Sequence, residues 1–185
     1  MIKIGITGSI ASGKTTASKI ISLKRGPLFS ADDCVKKLYK SKKFNKIILK
    51  KFNIKIKNNF KSELKKRLIK KKENLKKLTK LIHPVVRKKM FDFIKKNKSK
   101  NIIFLEIPLL IESKLMKYFD LIIFIKSNKS LRLKRYISNG GDKRLFSYLD
   151  DHQMKDSKKL KYCDYVVVNN KSLSVLKSKL LNIIE

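Results

Sequence analysis

Four stretches of the chain are dominated by apolar residues with no polar alternation: Ile2–Thr7, Asn101–Ile107, Asp120–Lys126 and Asp164–Val168. Unbroken runs of this length predict strands buried on both faces of a parallel sheet. Pro27-Leu28-Phe29 reads as a shorter fifth strand. Between the runs the spacing turns helical. Ala17, Ile20 and Ile21 share one face within Thr16–Leu23. Leu64, Leu68, Leu75, Leu78 and Ile82 recur at roughly helical intervals in a background of lysine. Pro84 is expected to end that helix or to open the next, whose inner face is Val85, Val86, Met90, Phe93 and Ile94. A second helical excursion covers about 130–158, interrupted at Gly140-Gly141 by a hinge or turn. Strands alternating with helices predict an α/β fold with a doubly wound parallel sheet. Right-handed crossovers would then gather ligands along the carboxyl edge of the strands. With no repeats and no low-complexity linker, the expectation is one compact unit with two helical outgrowths.

Composition narrows the class. A chain of 185 residues that is 42% hydrophobic can bury a single-domain core. No run approaches the roughly eighteen apolar residues of a membrane span. The first residues read as a core strand, so no leader segment and no membrane partner are expected. Cys34 and Cys163 lie far apart, with no C-x-x-C pattern and no Cys/His cluster. They suggest free thiols in a reducing, cytoplasmic setting.

The formal charge is +34, from 48 basic and 14 acidic residues. Such a surplus suggests nucleic acid or anionic lipid. Yet only six of the basic residues are arginine, and specific nucleic-acid readers rely on arginine forks. A lysine-rich solvated surface explains the charge without a specific nucleic-acid partner. The run Lys70-Lys71-Lys72 reads as part of that surface. A diffuse positive field still draws phosphorylated molecules in.

The chemistry is concentrated near the start. Gly8-Ser9-Ile10-Ala11-Ser12-Gly13-Lys14-Thr15 fits G-x-x-x-x-G-K-[ST] without mismatch, and Thr16 follows. A predicted strand precedes it and a predicted helix follows, the context that this phosphate-binding loop requires. Its backbone N–H groups and the helix's positive end form an anion nest. Lys14 would reach the β- and γ-phosphates, and Thr15 would offer its hydroxyl to Mg²⁺. Asn128-Lys129-Ser130-Leu131 and Asn170-Lys171-Ser172-Leu173 both lack the aspartate of the guanine-reading N-K-x-D motif, which argues against a GTPase. A small chain with helical outgrowths suits a small-molecule kinase with a lid.

Such a kinase needs a carboxylate to orient the acceptor hydroxyl and take its proton, worth about 10²- to 10⁴-fold in rate. Ser30-Ala31-Asp32-Asp33 follows the predicted second strand, so Asp32 and Asp33 are the candidates and could divide the roles. A helix cap is the competing reading for Asp32 or Asp33. Glu106 closes the strongest internal strand and either holds Mg²⁺ through water or is structural. Glu112 either caps or orients a basic side chain.

Several elements together resemble the dephospho-coenzyme A kinase family. They are the phosphate loop through Thr16, Ala31-Asp32, Ile82-His83-Pro84, Ile107-Pro108-Leu109-Leu110-Ile111-Glu112, Leu133-Lys134-Arg135, Gln153, and Asp164-Tyr165-Val166-Val167-Val168-Asn169-Asn170. They span almost the whole chain in the family's order. The resemblance implies a P-loop NTPase three-layer α/β/α core with a parallel sheet, formed from 1–32, 99–129 and 159–185. It also implies a helical CoA-binding insertion over 33–98 and a helical lid over 130–158. The implied reaction is ATP- and Mg²⁺-dependent phosphorylation of the ribose 3′-hydroxyl of dephospho-CoA. Within it Lys14, Asp32 and Arg135 are catalytic, Asp32, His83 and Glu112 meet the substrate, and Thr15 and Glu106 serve the metal. Helix capping is the other reading of His83. Two departures stand out. Ser30 replaces the first acidic residue of the family's Asp-Ala-Asp, and Asn139-Gly140-Gly141-Asp142 replaces its lid Arg-Asp pair, leaving Arg144 as a substitute. The stretch Lys61-Ser62-Glu63 also lacks an arginine common in the family. A kinase for another acceptor, such as a nucleoside monophosphate, and a basic nucleic-acid-binding NTPase are the competing functions. A monomer or weak homo-oligomer is expected.

Overall fold

A computed structural model of the protein describes residues 1–55 and 60–184. Residues 56–59, within the expected helical insertion, and Glu185 lie outside the described residues, as do the side chains of Lys61, Ile69 and Lys72. The chain forms two compact units, Met1–Ala31 with Phe93–Glu185, and Asp32–Asp92.

The first unit is built on five strands, β1 (Ile2–Gly8), β2 (Leu28–Ser30), β3 (Ile102–Glu106), β4 (Leu121–Lys126) and β5 (Tyr165–Val168). They pair all parallel in the order β2-β3-β1-β4-β5. All five predicted strands are therefore present, displaced by a residue or two at their ends. β1 is central, and its side chains alternate between the two faces as the pleat requires. Ile4 and Ile6 pack with Phe104, Ile123, Ile125 and Val167. On the same face lie α1 (Lys14–Ser22), through Ala17 and Ile21, and α9 (Leu173–Leu181), through Leu176 and Leu180. Gly5 points the other way, where an added Cβ would come within 2.8 Å of Leu110 and 2.9 Å of Phe119. The chain after β3 therefore presses directly on the backbone of β1.

The prediction for β5 needs correction. A continuous apolar run predicted burial on both faces, but only Val167 is buried, while Tyr165, Val166 and Val168 are exposed. Strand order explains this. β5 ends the sheet, and apolar content alone does not reveal an edge.

The segment expected to be helical between β4 and β5 forms α6 (Lys129–Ser138), α7 (Lys143–His152) and the single turn α8 (Asp156–Lys159). Gly140-Gly141 lies in the turn between α6 and α7, as predicted. Arg132 ties these two helices together. Its guanidinium meets Asp150 at 2.5 Å and lies over the Phe146 ring at 5.7 Å. Lys129 adds a second contact to Asp150 at 3.3 Å. Burial pushes the Asp150 carboxyl pKa up, but hydrogen bonds and charge from Arg132 and Lys129 outweigh it and hold the group below its ordinary range.

The second unit consists of α2 (Ala31–Lys40, its first residue in the other unit), α3 (Lys42–Lys51), α4 (Phe60–Lys70) and most of α5 (Lys72–Lys96). Its core is Phe44, Ile48, Phe52, Ile54, Leu64 and Leu78, with Leu68 and Ile82 packed against it. The expectation at Pro84 is overturned, because α5 runs through it without a break. An interior proline loses one backbone hydrogen bond and crowds the preceding turn, at a cost of about 3 kcal/mol. Tertiary packing overrides that local penalty. Leu78 is anchored before Pro84, and Met90 is 1% exposed beyond it. No helix among the described residues is long and apolar enough to cross a membrane.

Two outcomes check this description. Ile123→Ala, at a fully buried position facing α1 and α9, is expected to lower unfolding stability by about 2–5 kcal/mol, read from the urea midpoint. Asp150→Asn is expected to destabilise at pH 7. The folded carboxyl titrates below its unfolded value of about 3.9, so the wild-type advantage is present above that value. It fades as pH falls toward the folded pKa, and stability curves of the two proteins should converge there.

Candidate active site

β1 ends at Gly8 and α1 starts at Lys14, so the phosphate loop is the turn from the central strand into the first helix. Both of its glycines are required by contact. Gly8 has φ 150°, and a Cβ there would meet the Ile125 carbonyl at 2.4 Å. Gly13 has φ 94°, and a Cβ there would lie 2.2 Å from Asn169 Nδ2. Ala11 is also left-handed, with φ 56°. Alternating handedness of this kind curls backbone N–H groups toward one centre.

The loop's side chains are arranged for an anion. Lys14 Nζ donates to the Ser9 carbonyl at 2.9 Å, so its ammonium folds across the loop. The Ser12 hydroxyl is buried without a hydrogen-bond partner among the described residues. Thr15 Oγ1 donates to Glu106 Oε1 at 2.6 Å, and Ser18 Oγ lies 3.4 Å from the other carboxylate oxygen. Glu106 ends β3, has no exposed surface, and stands in register with Ile6 of β1 and Ser30 of β2. The predicted pair Thr15 and Glu106 is thus brought together.

Five residues from the later part of the chain hold the loop from outside. Gln153 accepts from the Ile10 N–H at 3.1 Å, and Arg132 Nη1 donates to the Ile10 carbonyl at 3.3 Å. Asp156 accepts from Ser9 Oγ at 2.5 Å. At the other end, Asn169 Nδ2 donates to the Ser12 carbonyl at 2.9 Å. Arg135 donates to Ser12 O at 3.5 Å, Ser127 Oγ at 3.1 Å and Asn169 O at 3.0 Å. The predicted Arg135 therefore stands directly behind the phosphate loop, while Arg144 is exposed near the start of α7. Glu112 orients a basic side chain, one of the roles expected of it beside capping and substrate contact. Its carboxylate meets the fully buried Lys159 at 2.7 Å and accepts from the Met154 N–H at 3.3 Å.

Sequence reasoning gave Arg132, Gln153, Asp156 and Asn169 no role. A signal was available for the arginines. In a chain that favours lysine so heavily, Arg132 and Arg135 lie one helical turn apart, and both use the planar fork that lysine lacks.

The second unit carries Asp32 and His83. α2 begins at Ala31, so Asp32 and Asp33 fall in its first turn instead of at its cap, which corrects the capping alternative. The helix's positive end favours both carboxylates there. Asp33 pairs with Lys36 at 2.9 Å. Asp32 follows Ser30, which is in register with Glu106, by two residues. His83 lies inside α5, so it caps no helix end, and it lines a groove with Lys80, Pro84 and Arg87. Burial, then the Arg87 charge, lowers its pKa and keeps the ring neutral near pH 7.

Both thiols are held in the protonated form near neutral pH. Burial raises Cys34, and burial with the Asp164 charge pushes Cys163 up to about 11. Neither supplies a thiolate nucleophile. Among the described residues no group of three or more His, Cys, Asp or Glu could hold a metal by itself.

The chain is similar in sequence and fold to known proteins. The family model for dephospho-CoA kinase matches residues 2–174. The dephospho-CoA kinase of Bartonella quintana is 35% identical over 187 residues, covering 98% of this chain and 96% of that protein. Dephospho-CoA kinase from Campylobacter jejuni superposes with a TM-score of 0.67 at 26% identity, covering 98% of this chain and 94% of that one. A solved Thermus thermophilus structure, at 24% identity, shares the fold with a TM-score of 0.78 over 99% of this chain and 96% of that one. A match over nearly the whole chain, joined to a phosphate loop with Thr15 and Glu106 in contact, places the protein in the dephospho-CoA kinase family.

Proposed function

We propose that Lys14, Thr15, Asp32 and Arg135 carry phosphoryl transfer from ATP to the ribose 3′-hydroxyl of dephospho-CoA, giving coenzyme A and ADP. The observation that carries this reading is the closed contact between the phosphate loop and the carboxyl end of β3, Thr15 to Glu106 at 2.6 Å. It puts a hydroxyl and a carboxylate beside an anion nest. Phosphoryl transfer asks the protein mainly for positioning and for neutralising charge.

Each residue has a defined task. Incoming phosphate gives the Lys14 ammonium a charged acceptor in place of the neutral Ser9 carbonyl. Arg135, behind Ser12, adds a fixed positive charge close to the nest. Asp32 aligns the acceptor hydroxyl and takes its proton as the new P–O bond forms. Ser30 stands where the family has a carboxylate, so Asp33 or solvent supplies what that group would have given. Glu112 acts through Lys159 and the Met154 N–H, fixing the chain between α7 and α8. Residues 33–98, with neutral His83, receive the acceptor, and 130–158 form the lid.

The donor set fits Mg²⁺. Thr15 Oγ1 and the Glu106 carboxylate are oxygen ligands, and Mg²⁺ is commonly held by one or two protein oxygens plus waters and substrate phosphates. Held there by Thr15 and Glu106, the ion would supply positive charge to offset the negative charge of the phosphates.

A coupled ADP-release assay with dephospho-CoA, with and without Mg²⁺, tests the assignment. Lys14→Ala is expected to lower kcat by about 10²-fold or more. Asp32→Asn is expected to cost about 10²- to 10⁴-fold. Both should leave the melting temperature near that of the wild type. Full turnover in Asp32→Asn would remove it from the base role. Preference for a nucleoside monophosphate over dephospho-CoA would overturn the acceptor.

A further inference from the structure

A trans peptide points its carbonyl and its N–H in opposite directions. Whatever fixes one fixes the other. The Ser12 carbonyl is held outside the phosphate loop by Asn169 Nδ2 at 2.9 Å, with Arg135 Nη1 at 3.5 Å. The N–H of Gly13, the other end of that peptide, must then face the loop's interior. We propose that Asn169 is a positioning residue for phosphoryl transfer, holding the Ser12–Gly13 peptide so that the Gly13 N–H meets the nucleotide's phosphates. The inference rests on the loop's role as the triphosphate site.

Three observations carry it. Asn169 is 6% exposed, so its amide is committed to this contact instead of to water. It is placed by the sheet. β5 pairs with β4, and the first residue beyond, Asn169, donates its N–H to the Lys126 carbonyl at 2.8 Å. Its own carbonyl accepts from Arg135, which also reaches Ser12, so Ser12, Asn169 and Arg135 close a ring. Finally, its Nδ2 occupies the space where a side chain at position 13 would begin, so it fits only with glycine there. Were the peptide to turn over, the Ser12 oxygen would face the phosphates, replacing a donor with a partial negative charge.

The test separates phosphate contacts from the rest of the nucleotide. Affinities for ADP and for adenosine are measured by calorimetry for the wild type, Asn169→Ala and Asn169→Asp, together with kcat, KM for dephospho-CoA and thermal midpoints. Asn169→Asp keeps the shape but turns an acceptor toward Ser12 O. It is expected to weaken ADP by about 10- to 100-fold, with a smaller loss in Asn169→Ala, where Arg135 still holds the carbonyl. Adenosine affinity and KM for dephospho-CoA should stay within about threefold, since the proposal gives this peptide a phosphate contact alone. Equal losses for ADP and adenosine, or none for ADP, would overturn the proposal. If both variants fail to fold, amide spectra of the wild type decide. The Gly13 N–H signal should shift on adding ADP and hold still with adenosine, and no shift with ADP overturns it. Lack of turnover with dephospho-CoA in the wild type would sink the functional reading instead, leaving the ADP comparison intact.

Discussion

A carbonyl turned away from the phosphate loop must find a donor elsewhere, and much of the first unit is arranged to supply one. The loop concentrates N–H groups on one side, so its oxygens accumulate on the other. Arg132 takes the Ile10 oxygen and Asn169 takes that of Ser12. Each donor is itself held. Arg132 lies between Asp150, the Ser127 carbonyl and the Phe146 ring, and Asn169 hangs from the β4–β5 ladder. α6, α7 and β5 therefore brace a turn formed more than a hundred residues earlier.

That distance explains what could be read from the sequence. The β1–loop–α1 unit was legible because its signals are local, a strand run, two glycines and a helical repeat within about two dozen residues. The closeness of Thr15 and Glu106 was legible because one lies in the first turn of the helix after β1 and the other closes β3, at the carboxyl end of a parallel sheet. Arg132, Gln153, Asp156 and Asn169 act across 122 to 157 positions. No local pattern marks them. Gln153 and Asn169 stood among the features of resemblance, but resemblance gave them no task. Pro84 failed for the opposite reason, a strong local signal overruled by packing on either side of it. The exposed face of β5 failed because strand order is a property of the sheet and not of any one strand.

Charge takes on a clearer meaning beside this geometry. The chain carries 48 basic residues, six of them arginine, and two of those six brace the phosphate loop. Lysine serves where a solvated positive charge is enough. At Arg132 and Arg135, arginine meets several acceptors at fixed angles. The acidic residues divide similarly. Glu106 is wholly enclosed, Asp150 answers two cations, and Glu112 answers a lysine with no exposed surface. The surplus of positive charge lies over a small set of closely matched pairs.

The edge of the sheet shows what that surplus does for the molecule as a colloid. β5 has one neighbour, β4, among the described residues, and it carries Tyr165, Val166 and Val168 into solvent. A bare, apolar strand edge invites a second chain to add to the ladder. Two molecules of charge +34 repel before their edges can meet. The protection is physical, not geometric, and it depends on the medium. Salt shortens the reach of repulsion from about 30 Å at 0.01 M to about 3 Å at 1 M. High salt, which shortens that repulsion most, thus leaves the outer strand with least electrostatic protection.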